Sequence, residues 1–445
     1  MEQFLKQDPV AMGMLGKQVV REQEYRPLTY VLTTEEEDKK IYYNLLTHEM
    51  IAINASELDL SETKQYFIEN WYLVPKEHDD QQLVDECRAV LTLMDSWPRK
   101  IHVFQIFTTL DCNARCFYCF EKRLSGSNMT METAARAIEY MQEQADGNLI
   151  KIVWFGGEPL YNYSIIDYIS EGLREKGLYF QSEMMTNGLL FDGALVERAK
   201  NLWNLKNVQI TLDGTRHIYR KVKAYVTDVG DPFEQVMQNI KSLLMAKIGV
   251  NIRLNIGPHN YSDMQNLVDY LCETFKGEDK LYIYASPLFE ITKYSDEKKT
   301  FMYEMLDELS SKLDLFFGNK KEKELSGKIV NSFCMADGKE AVTIMPDGKV
   351  GICPNITDGG FLGDIYTKEI DVKVKEDFGR RYYQADMCRT CPLYPNCYIV
   401  SGCPNKGAKV GCNPVSVQWQ IEKIIKKMKI RCRQGASGSD LGSVR

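Results

Sequence analysis

Six short apolar segments separated by helical patterns constrain the fold of this 445-residue chain more than any other feature. All six lie between residues 101 and 286, and they read IHVFQIFTTL, LIKIVWF, GLYFQSEMMT, NVQITL, VNIRLNI and LYIYAS. Strands that alternate with helices form parallel βαβ units with right-handed crossovers. A complete eightfold barrel would need two more units, and these are not evident. We therefore expect an α/β fold with a partial (β/α)6 barrel over residues 99–320.

Three cysteines directly follow the first of these strands, in the stretch TTLDCNARCFYCFEK. Cys112, Cys116 and Cys119 have the spacing C-x3-C-x2-C. A disulfide framework would use an even number of cysteines, and a closed zinc site would need a fourth ligand nearby. Three thiolates around a metal leave one coordination position open. Because the active sites of βα barrels lie in the loops after the strands, this position predicts a catalytic metal cluster.

The ends of three other strands in this region are glycine-rich or polar. Gly156-Gly157-Glu158-Pro159, Asn187-Gly188 and Asp213-Gly214 each follow a strand. Glycine lets a backbone approach a ligand closely, although Asn-Gly and Asp-Gly alone are ordinary turn sequences. Their shared position at one rim of the barrel predicts a ligand-binding edge. No catalytic acid or base is assigned by the sequence.

Composition and charge limit the cellular setting. A net charge of −7 at pH 7 argues against a nucleic-acid-binding surface as the main function. No apolar run is long enough to cross a bilayer, and MEQFLKQDPV lacks a secretory-signal pattern. We expect a cytoplasmic protein whose thiols stay reduced, so most of its 13 cysteines should be metal ligands. Cys87 and Cys272 lie in amphipathic helical patterns and are expected in the core.

The regions on either side of the barrel have their own patterns. In residues 1–98, strands with a hairpin at LLTHEMIAI precede two amphipathic helices, which predicts a winged-helix-like module. A simple structural appendage is the alternative. Residues 321–432 contain cysteines at spacings typical of zinc ribbons or iron–sulfur sites. Two closed zinc sites would need eight ligands, whereas seven cysteines cluster between residues 334 and 412. The Gly/Ser-rich tail, residues 433–445, is predicted to be disordered.

The motif Cys112-x3-Cys116-x2-Cys119, with Tyr118 before its last cysteine and GGEP downstream, resembles the signature of radical S-adenosylmethionine (SAM) enzymes. In that family the three cysteines bind three irons of a 4Fe–4S cluster, and SAM chelates the fourth iron. The resemblance implies that a 5′-deoxyadenosyl radical abstracts a substrate hydrogen. It also implies SAM contacts: Tyr118 near the adenine, Gly156, Gly157 and Glu158 at the methionine amino group, and Asn187, Thr211 and Arg220 at the ribose or carboxylate.

The third region resembles the SPASM domain, which holds two auxiliary 4Fe–4S clusters. The match includes a C-x13-G-x4-C opening and a C-x2-C-x5-C core, but five residues instead of three precede Cys403. The resemblance implies Cys388, Cys391, Cys397 and Cys412 as ligands of the distal cluster, and Cys334, Cys353 and Cys403 as ligands of the near cluster. Four cysteines for the distal cluster and three for the near cluster leave one iron of the near cluster without a cysteine ligand, unless Cys272 or a non-cysteine ligand binds it. An open iron could bind a substrate thiolate.

Beside such a barrel, residues 1–98 resemble the peptide-recognition domain of enzymes that modify ribosomally made peptides, where a leader strand adds to the sheet. The layout resembles thioether-forming maturases of ranthipeptides or sactipeptides. We therefore expect a radical SAM enzyme that joins a cysteine sulfur to a carbon within a precursor peptide. The resemblance implies SAM, three 4Fe–4S clusters and an electron donor such as flavodoxin or ferredoxin, without nucleic-acid or membrane partners.

Other functions remain open on the sequence alone. A radical SAM/SPASM enzyme could make a carbon–carbon or carbon–oxygen crosslink, epimerise a residue, or oxidise the active-site residue of a sulfatase. Only the thioether reaction has an evident use for an open auxiliary iron. The alternative that is not an enzyme is a non-catalytic metal-binding adaptor.

Overall fold

The computed structural model describes residues 1–94, 100–119, 121, 127–288, 294–317, 329, 335–336, 340–355, 361–368, 371, 374, 386–397 and 413–434. The chain forms two compact units. The first unit combines Met1–Trp97, Lys320–Phe333 and Arg381–Arg445, and the second combines Pro98–Asn319 and Cys334–Arg380. The predicted SPASM region, residues 321–432, is therefore divided between the two units. The domain boundaries expected from the sequence stay predictions.

The N-terminal part of the first unit contains two small antiparallel sheets. Its strands are β1 (Glu2–Leu5), β2 (Tyr25–Pro27), β3 (Val31–Glu36), β4 (Lys39–Asn44), β5 (Met50–Asn54) and β6 (Leu73–Pro75). Its helices are α1 (Pro9–Leu15), α2 (Ser61–Glu69), α3 (Asp80–Met94) and the 3-10 turn Ala55–Glu57. Four strands pair in the order β1-β5-β4-β3, and β2 pairs with β6. The antiparallel pair β4–β5 confirms the hairpin expected around LLTHEMIAI.

Alternation along β4 and β5 gives this sheet two apolar faces, because successive side chains in a strand point to opposite sides. Tyr42 and Ile51 pack with Phe67 of α2 on one face. Ile41 and Tyr43 belong to a second apolar cluster. The sheet is therefore covered on both sides within the first unit.

The second unit is built on a mostly parallel sheet, which confirms the expected α/β fold class. Its first six strands are β7 (Val103–Thr109), β8 (Ile150–Gly156), β9 (Phe180–Thr186), β10 (Leu205–Leu212), β11 (Gly249–Ile256) and β12 (Leu281–Pro287). They lie side by side in chain order, and each neighbouring pair is parallel. Parallel neighbours in chain order bring the carboxyl ends of all six strands to one edge.

Helices connect these strands and cover the sheet. They are α4 (Met131–Ala145), α5 (Tyr163–Glu175), α6 (Gly193–Asn201), α7 (Arg216–Lys223), α8 (Pro232–Met245), α9 (Tyr261–Thr274), α10 (Asp296–Phe317) and the 3-10 turn Pro159–Asn162. Local capping explains several starts: the side chains of Thr130, Asp192 and Asp231 accept hydrogen bonds from first-turn amides of α4, α6 and α8. None of the described helices has the length and apolar character to cross a membrane.

Three further strands extend the same sheet beyond β7. β13 (Ala341–Ile344) is parallel to β7, and β14 (Lys349–Gly351) and β15 (Phe361–Asp364) follow as antiparallel strands. The turn between β13 and β14 contains Asp347-Gly348, and Gly348 has a φ of +86° that favours glycine. This confirms the hairpin predicted from AVTIMPDGKVGIC.

The C-terminal part of the chain packs within the first unit. Its described residues form two 3-10 turns, Asp386–Thr390 and Tyr394–Asn396, and a helix at Pro414–Gln434. Tyr394 and Met428 are buried in the same apolar cluster as Ile41 and Tyr43. The predicted recognition module and the segment with Cys388, Cys391 and Cys397 are thus parts of one compact unit.

Candidate functional site

The three cysteines of the C-x3-C-x2-C motif lie in the loop that follows β7. Cys112, Cys116 and Cys119 are partly buried. The amide of Ala114 donates a hydrogen bond to Cys112 Sγ at 3.4 Å, and the amide of Cys119 donates to the carbonyl of Cys116 at 3.2 Å. The loop is compact, and it stands at the edge where parallel strands end.

The surroundings of Cys112 disfavour its thiolate form in the absence of a cation. Burial raises the pKa of Cys112 to about 12, and the negative charges of Glu158, Cys116 and Cys119 add to this effect. Thiolates are the ligands of iron–sulfur clusters, and a positively charged iron group would relieve both penalties. The donor set therefore fits a cluster.

Within the described residues, no three Cys, His, Asp or Glu side chains are arranged to hold a single metal ion. In the cluster that the motif implies, each of the three thiolates would bind a different iron, which needs more widely spaced sulfurs than one ion does.

Gly156 and Gly157 allow the end of β8 to lie directly against the cysteine loop. A Cβ at Gly156, whose φ is +123°, would be 2.1 Å from the carbonyl oxygen of Thr109. A Cβ at Gly157 would be 2.2 Å from the carbonyl oxygen of Asp111. The amides of Gly157 and Glu158 donate to these same two carbonyls, at 3.1 and 2.8 Å. Only glycine fits this close approach of two backbones.

The carboxyl group of Glu158 is fully buried and joins two neighbouring strand ends. It accepts hydrogen bonds from Thr186 Oγ1 at 2.7 Å, from the amide of Asn187 at 2.9 Å and from the amide of Leu160 at 3.3 Å. Burial raises the pKa of Glu158 to about 6, and these hydrogen bonds partly oppose the rise. The side chain of Asn187 donates in turn to Asn113 Oδ1 at 2.6 Å, which connects the end of β9 to the cysteine loop.

A buried polar network lies on the other side of the cysteine loop, at the ends of β10 and β11. The Tyr118 hydroxyl donates to Asp213 Oδ1 at 2.8 Å, and Asn255 Nδ2 donates to the same oxygen at 3.2 Å. Lys223 Nζ donates to Thr211 Oγ1 at 2.5 Å and forms an ion pair with Asp213 Oδ2 at 3.0 Å. The side chains of Lys223 and Asp213 are 2% and 0% exposed, so this is a buried ion pair.

The network fixes the protonation of its members. Burial alone would lower the pKa of Lys223, but Asp213, followed by Tyr118 and Cys116, outweighs burial and raises the pKa well above its ordinary value. Burial raises the pKa of Tyr118, Lys223 opposes this and Asp213 adds to it. The lysine therefore stays charged, and the Tyr118 phenol stays protonated as a hydrogen-bond donor.

The structure brings most of the sequence-predicted SAM contacts to this rim, with one exception. Tyr118, Asn187, Thr211 and the Gly156–Glu158 segment all join the bonds around the cysteine loop. The guanidinium of Arg220 instead donates to the carbonyl of Gly230 at 2.7 Å, and its side chain is 61% exposed. Their roles as SAM ligands remain predictions.

Sequence reasoning did not identify Lys223, Asn255 or Asn113 as members of the site. Asn255 lies near the end of a predicted strand, a position that could have drawn attention to it. Lys223 is the last residue of α7 and belongs to no recognisable motif, so the sequence carried no signal for it.

The cysteines of the predicted SPASM region are only partly described. Cys353 follows β14 in the second unit, and the amide of Asn355 donates to its Sγ at 3.3 Å. Cys388, Cys391 and Cys397 pack against the apolar cluster of the first unit. Cys334, Cys403 and Cys412 lie outside the described residues, and the two auxiliary ligand sets stay predictions.

The two cysteines expected in the core are buried there. Cys87 in α3 is 4% exposed, and Cys272 in α9 is 2% exposed. This confirms the interpretation of both helical patterns.

Comparison with known families identifies the central region. Residues 106–271 match the model of the radical SAM superfamily. This region is therefore a radical SAM domain, a family that implies SAM and a 4Fe–4S cluster.

Individual relatives and solved structures are similar to this chain at low sequence identity. The GTP 3',8-cyclase of Clostridium perfringens (strain 13 / Type A) is 27% identical over 205 residues, which is 45% of this chain and 61% of the cyclase. Native anSMEcpe with bound AdoMet has a TM-score of 0.55 at 17% identity, over 75% of this chain and 100% of that chain. Streptococcus suis SuiB bound to precursor peptide SuiA has a TM-score of 0.50 at 15% identity, over 88% and 99% of the two chains.

Proposed function

We propose that this radical SAM protein modifies a ribosomally made precursor peptide by joining a cysteine sulfur to a carbon of another residue. One observation carries the proposal: the cysteine loop is bonded to a glycine-rich strand end and a buried polar network at the carboxyl edge of six parallel strands. The likeness to SuiB, which spans both units of this chain, supports a peptide as the substrate. The likeness shows a shared fold, and a peptide substrate for this chain is part of our proposal.

Named residues would hold the cofactors. Cys112, Cys116 and Cys119 would bind the 4Fe–4S cluster, with Tyr118 and the Gly156–Glu158 segment beside SAM. When bound, the cluster and SAM supply an electron and a carbon radical that abstracts hydrogen. The protein itself contributes a close backbone approach at Gly156 and Gly157 and buried polar groups that exclude water from the rim.

The first unit offers a sheet edge for the peptide. β3, Val31–Glu36, is the last strand of the order β1-β5-β4-β3 in the described part of the chain. An extended peptide can add to such an edge through main-chain hydrogen bonds. We place the leader segment of the precursor there. Precursor binding should slow hydrogen exchange at the amides of residues 31–36, while the interior strand β4 should change little.

The reaction must balance in atoms and electrons. A thioether link removes one S–H and one C–H hydrogen from the peptide and forms one S–C bond, so two hydrogens and two electrons leave. One hydrogen atom would pass to the SAM-derived radical, the thiol proton to a base, and the remaining electron to an auxiliary cluster. Cys334, Cys353 and Cys403 are the predicted ligands that would hold this cluster, which would supply an acceptor for that electron.

Mass spectrometry tests the product directly. The protein is reconstituted anaerobically with iron and sulfide, then mixed with SAM, a strong reductant and the short cysteine-containing peptide encoded beside its gene. The expected product is lighter by two hydrogens per link, and its cysteines no longer react with an alkylating agent. Cys116→Ala should abolish the product, whereas Cys272→Ala, which changes a buried cysteine of helix α9, should retain it.

A second candidate is another radical SAM reaction on a peptide, favoured by the fold likeness to anSMEcpe at a TM-score of 0.55. Loss of two hydrogens with thiols that still alkylate would indicate a carbon–carbon or carbon–oxygen crosslink, or oxidation of a serine hydroxyl to an aldehyde. An unchanged mass with release of 5′-deoxyadenosine would indicate epimerisation. Consumption of GTP in a parallel reaction would contradict peptide modification.

A further inference from the structure

Lys223 contacts the cysteine loop through two different groups. Its backbone carbonyl accepts a 2.8 Å hydrogen bond from the amide of Arg115, and the same oxygen lies 4.0 Å from Cys116 Sγ. Its ammonium lies 3.5 Å from the hydroxyl of Tyr118. One residue at the end of α7 therefore touches the loop on both sides of Cys116.

Residues at the carboxyl end of strand β10 hold the ammonium of Lys223 at the edge of the parallel sheet. It donates to Thr211 Oγ1 and pairs with Asp213 Oδ2, and Asp213 Oδ1 in turn accepts from Tyr118. The lysine side chain that makes these contacts is 2% exposed. A cation is buried at this depth only when nearby groups compensate for its lost hydration. Its polar partners Thr211, Asp213 and Tyr118 lie at the end of β10 and in the cysteine loop, and its ammonium also lies 5.6 Å from the ring centroid of Tyr219 in α7.

We propose that Lys223 is a positioning residue for the iron–sulfur cluster, which holds the Cys112–Cys119 loop against β10 so that the three thiols stay in range of iron. Its role depends on the radical SAM domain and is independent of which substrate the enzyme modifies. Tyr118 transmits the constraint, since its hydroxyl is bonded to Asp213 and lies within reach of Lys223. Loss of the lysine side chain should loosen the segment between Arg115 and Cys119, while the backbone bond to Arg115 remains.

The test measures thiol reactivity in the cluster-free full-length protein. Alkylation rates of Cys116 and Cys119 are determined peptide by peptide with mass spectrometry. Lys223→Met should increase both rates about tenfold, because it removes a charge-assisted hydrogen bond and the buried ion pair. Lys221→Met is the matched control: it changes an exposed lysine on the same helix and should leave the rates unchanged. Equal rates in the two variants would overturn the proposal.

A second variant separates positioning from simple charge neutralisation. Lys223→Met alone leaves Asp213 buried and unpaired, which destabilises the fold in itself. The double change Lys223→Met with Asp213→Asn removes both charges and should recover much of the melting temperature. If Lys223 positions the loop, the double variant still alkylates about tenfold faster and still loses iron to a chelator faster after reconstitution. Wild-type alkylation and iron retention in the double variant would show that the lysine only neutralises Asp213, and the proposal would fail.

Discussion

The amide of Glu158 donates a 2.8 Å hydrogen bond to the carbonyl of Asp111, one residue before the first cysteine of the motif. The amide of Gly157 makes the same kind of bond to Thr109 at 3.1 Å. These two bonds join the end of β8 to the start of the cysteine loop. This rim of the sheet is therefore held by main-chain contacts that depend on the small size of its glycines.

Gly157→Ala should disrupt this rim. The new Cβ would lie 2.2 Å from the carbonyl oxygen of Asp111, and backbone atoms cannot yield as a flexible side chain can. We expect the free energy of unfolding to fall by about 1–3 kcal/mol. Reconstituted iron should fall with it, because the loop that carries Cys112 must move away. Chemical denaturation and iron analysis measure the two effects.

Gly193→Ala provides the matched control for this substitution. Gly193 is the first residue of α6, and a Cβ there would meet nothing within 4 Å. The free energy of unfolding of the Gly193→Ala variant should be unchanged or slightly increased. Equal stability and iron content in the two variants would contradict the steric argument at Gly157.

Glu158 should make the stability of the cluster-free protein depend on pH. Its pKa is raised by burial from 4.5 to about 6, so the folded state binds the proton more tightly than the unfolded state does. The stabilising effect of the neutral acid is complete below pH 4.5 and disappears as pH rises through about 6. The expected loss over this interval is about 2 kcal/mol.

Glu158→Gln should remove this pH dependence. The glutamine cannot ionise, but its amide nitrogen can face the donor groups of Thr186 or Asn187, so the variant is less stable overall. Urea titrations between pH 4 and 7 give the free energy of unfolding of both proteins at each pH. The comparison is between the slopes of these free energies against pH, not between their absolute values. Parallel curves for wild type and variant would show that another group controls the pH response.

The parallel core was predictable because apolar residues recur along each strand, either in a run or at alternate positions, between turn residues. In β10, Val208, Ile210 and Leu212 are fully buried, which is the pattern that identified the segment in the sequence. The hairpin at Asp347-Gly348 was predictable for a local reason, since its turn requires a positive φ. Signals of this kind lie within a few neighbouring residues.

Long-range features could not be predicted in the same way. The assembly of residues 381–445 with the N-terminal module depends on contacts such as Tyr394 with Tyr30, which are separated by most of the chain. The buried pair Lys223–Asp213 depends on where α7 ends against β10. A lysine at a helix end usually faces solvent, and only the fold shows that this one does not.

Asp80 should be a major determinant of stability in the first unit. Its carboxylate accepts two hydrogen bonds from Arg26, at 2.9 and 3.0 Å, and two from Thr29. Although burial would raise the pKa of Asp80, the hydrogen bonds from His78, Arg26 and Thr29 outweigh it and hold the pKa well below its ordinary value of 3.8. Its contribution is therefore present above pH 3.8 and is lost as pH falls further.

Asp80→Asn should lower the free energy of unfolding by about 3 kcal/mol at neutral pH, since it leaves a partly buried arginine without its carboxylate. Glu24→Gln is the matched control, because the pair Glu24–Lys76 is exposed on both sides and contributes little. Thermal melting of the cluster-free proteins distinguishes them. A similar decrease in both variants would mean that the geometry around Asp80 adds nothing beyond its charge.

Arg88 should control the order of the segment with Cys388, Cys391 and Cys397. Its buried guanidinium lies 4.4 Å from the ring centroid of Tyr394 and donates to the Tyr394 carbonyl, while the Tyr394 hydroxyl donates to Asp85 at 2.7 Å. Arg88→Met removes the charge and the hydrogen bond, at a cost of about 2 kcal/mol. We expect Cys391 to alkylate about tenfold faster in the cluster-free variant, because the 3-10 turns around it lose their buried anchor.

Two comparisons make the Arg88 prediction specific. Arg21→Met changes an exposed arginine of the same unit and should leave the alkylation of Cys391 unchanged. The alkylation of Cys112, which belongs to the second unit, should be unaffected in both variants because each unit has its own internal contacts. An increase at Cys112 as large as the increase at Cys391 would show that Arg88 supports the whole chain rather than this segment. If the rates at Cys391 in the two arginine variants were equal, the packing of Arg88 on Tyr394 would have no role in holding these cysteines.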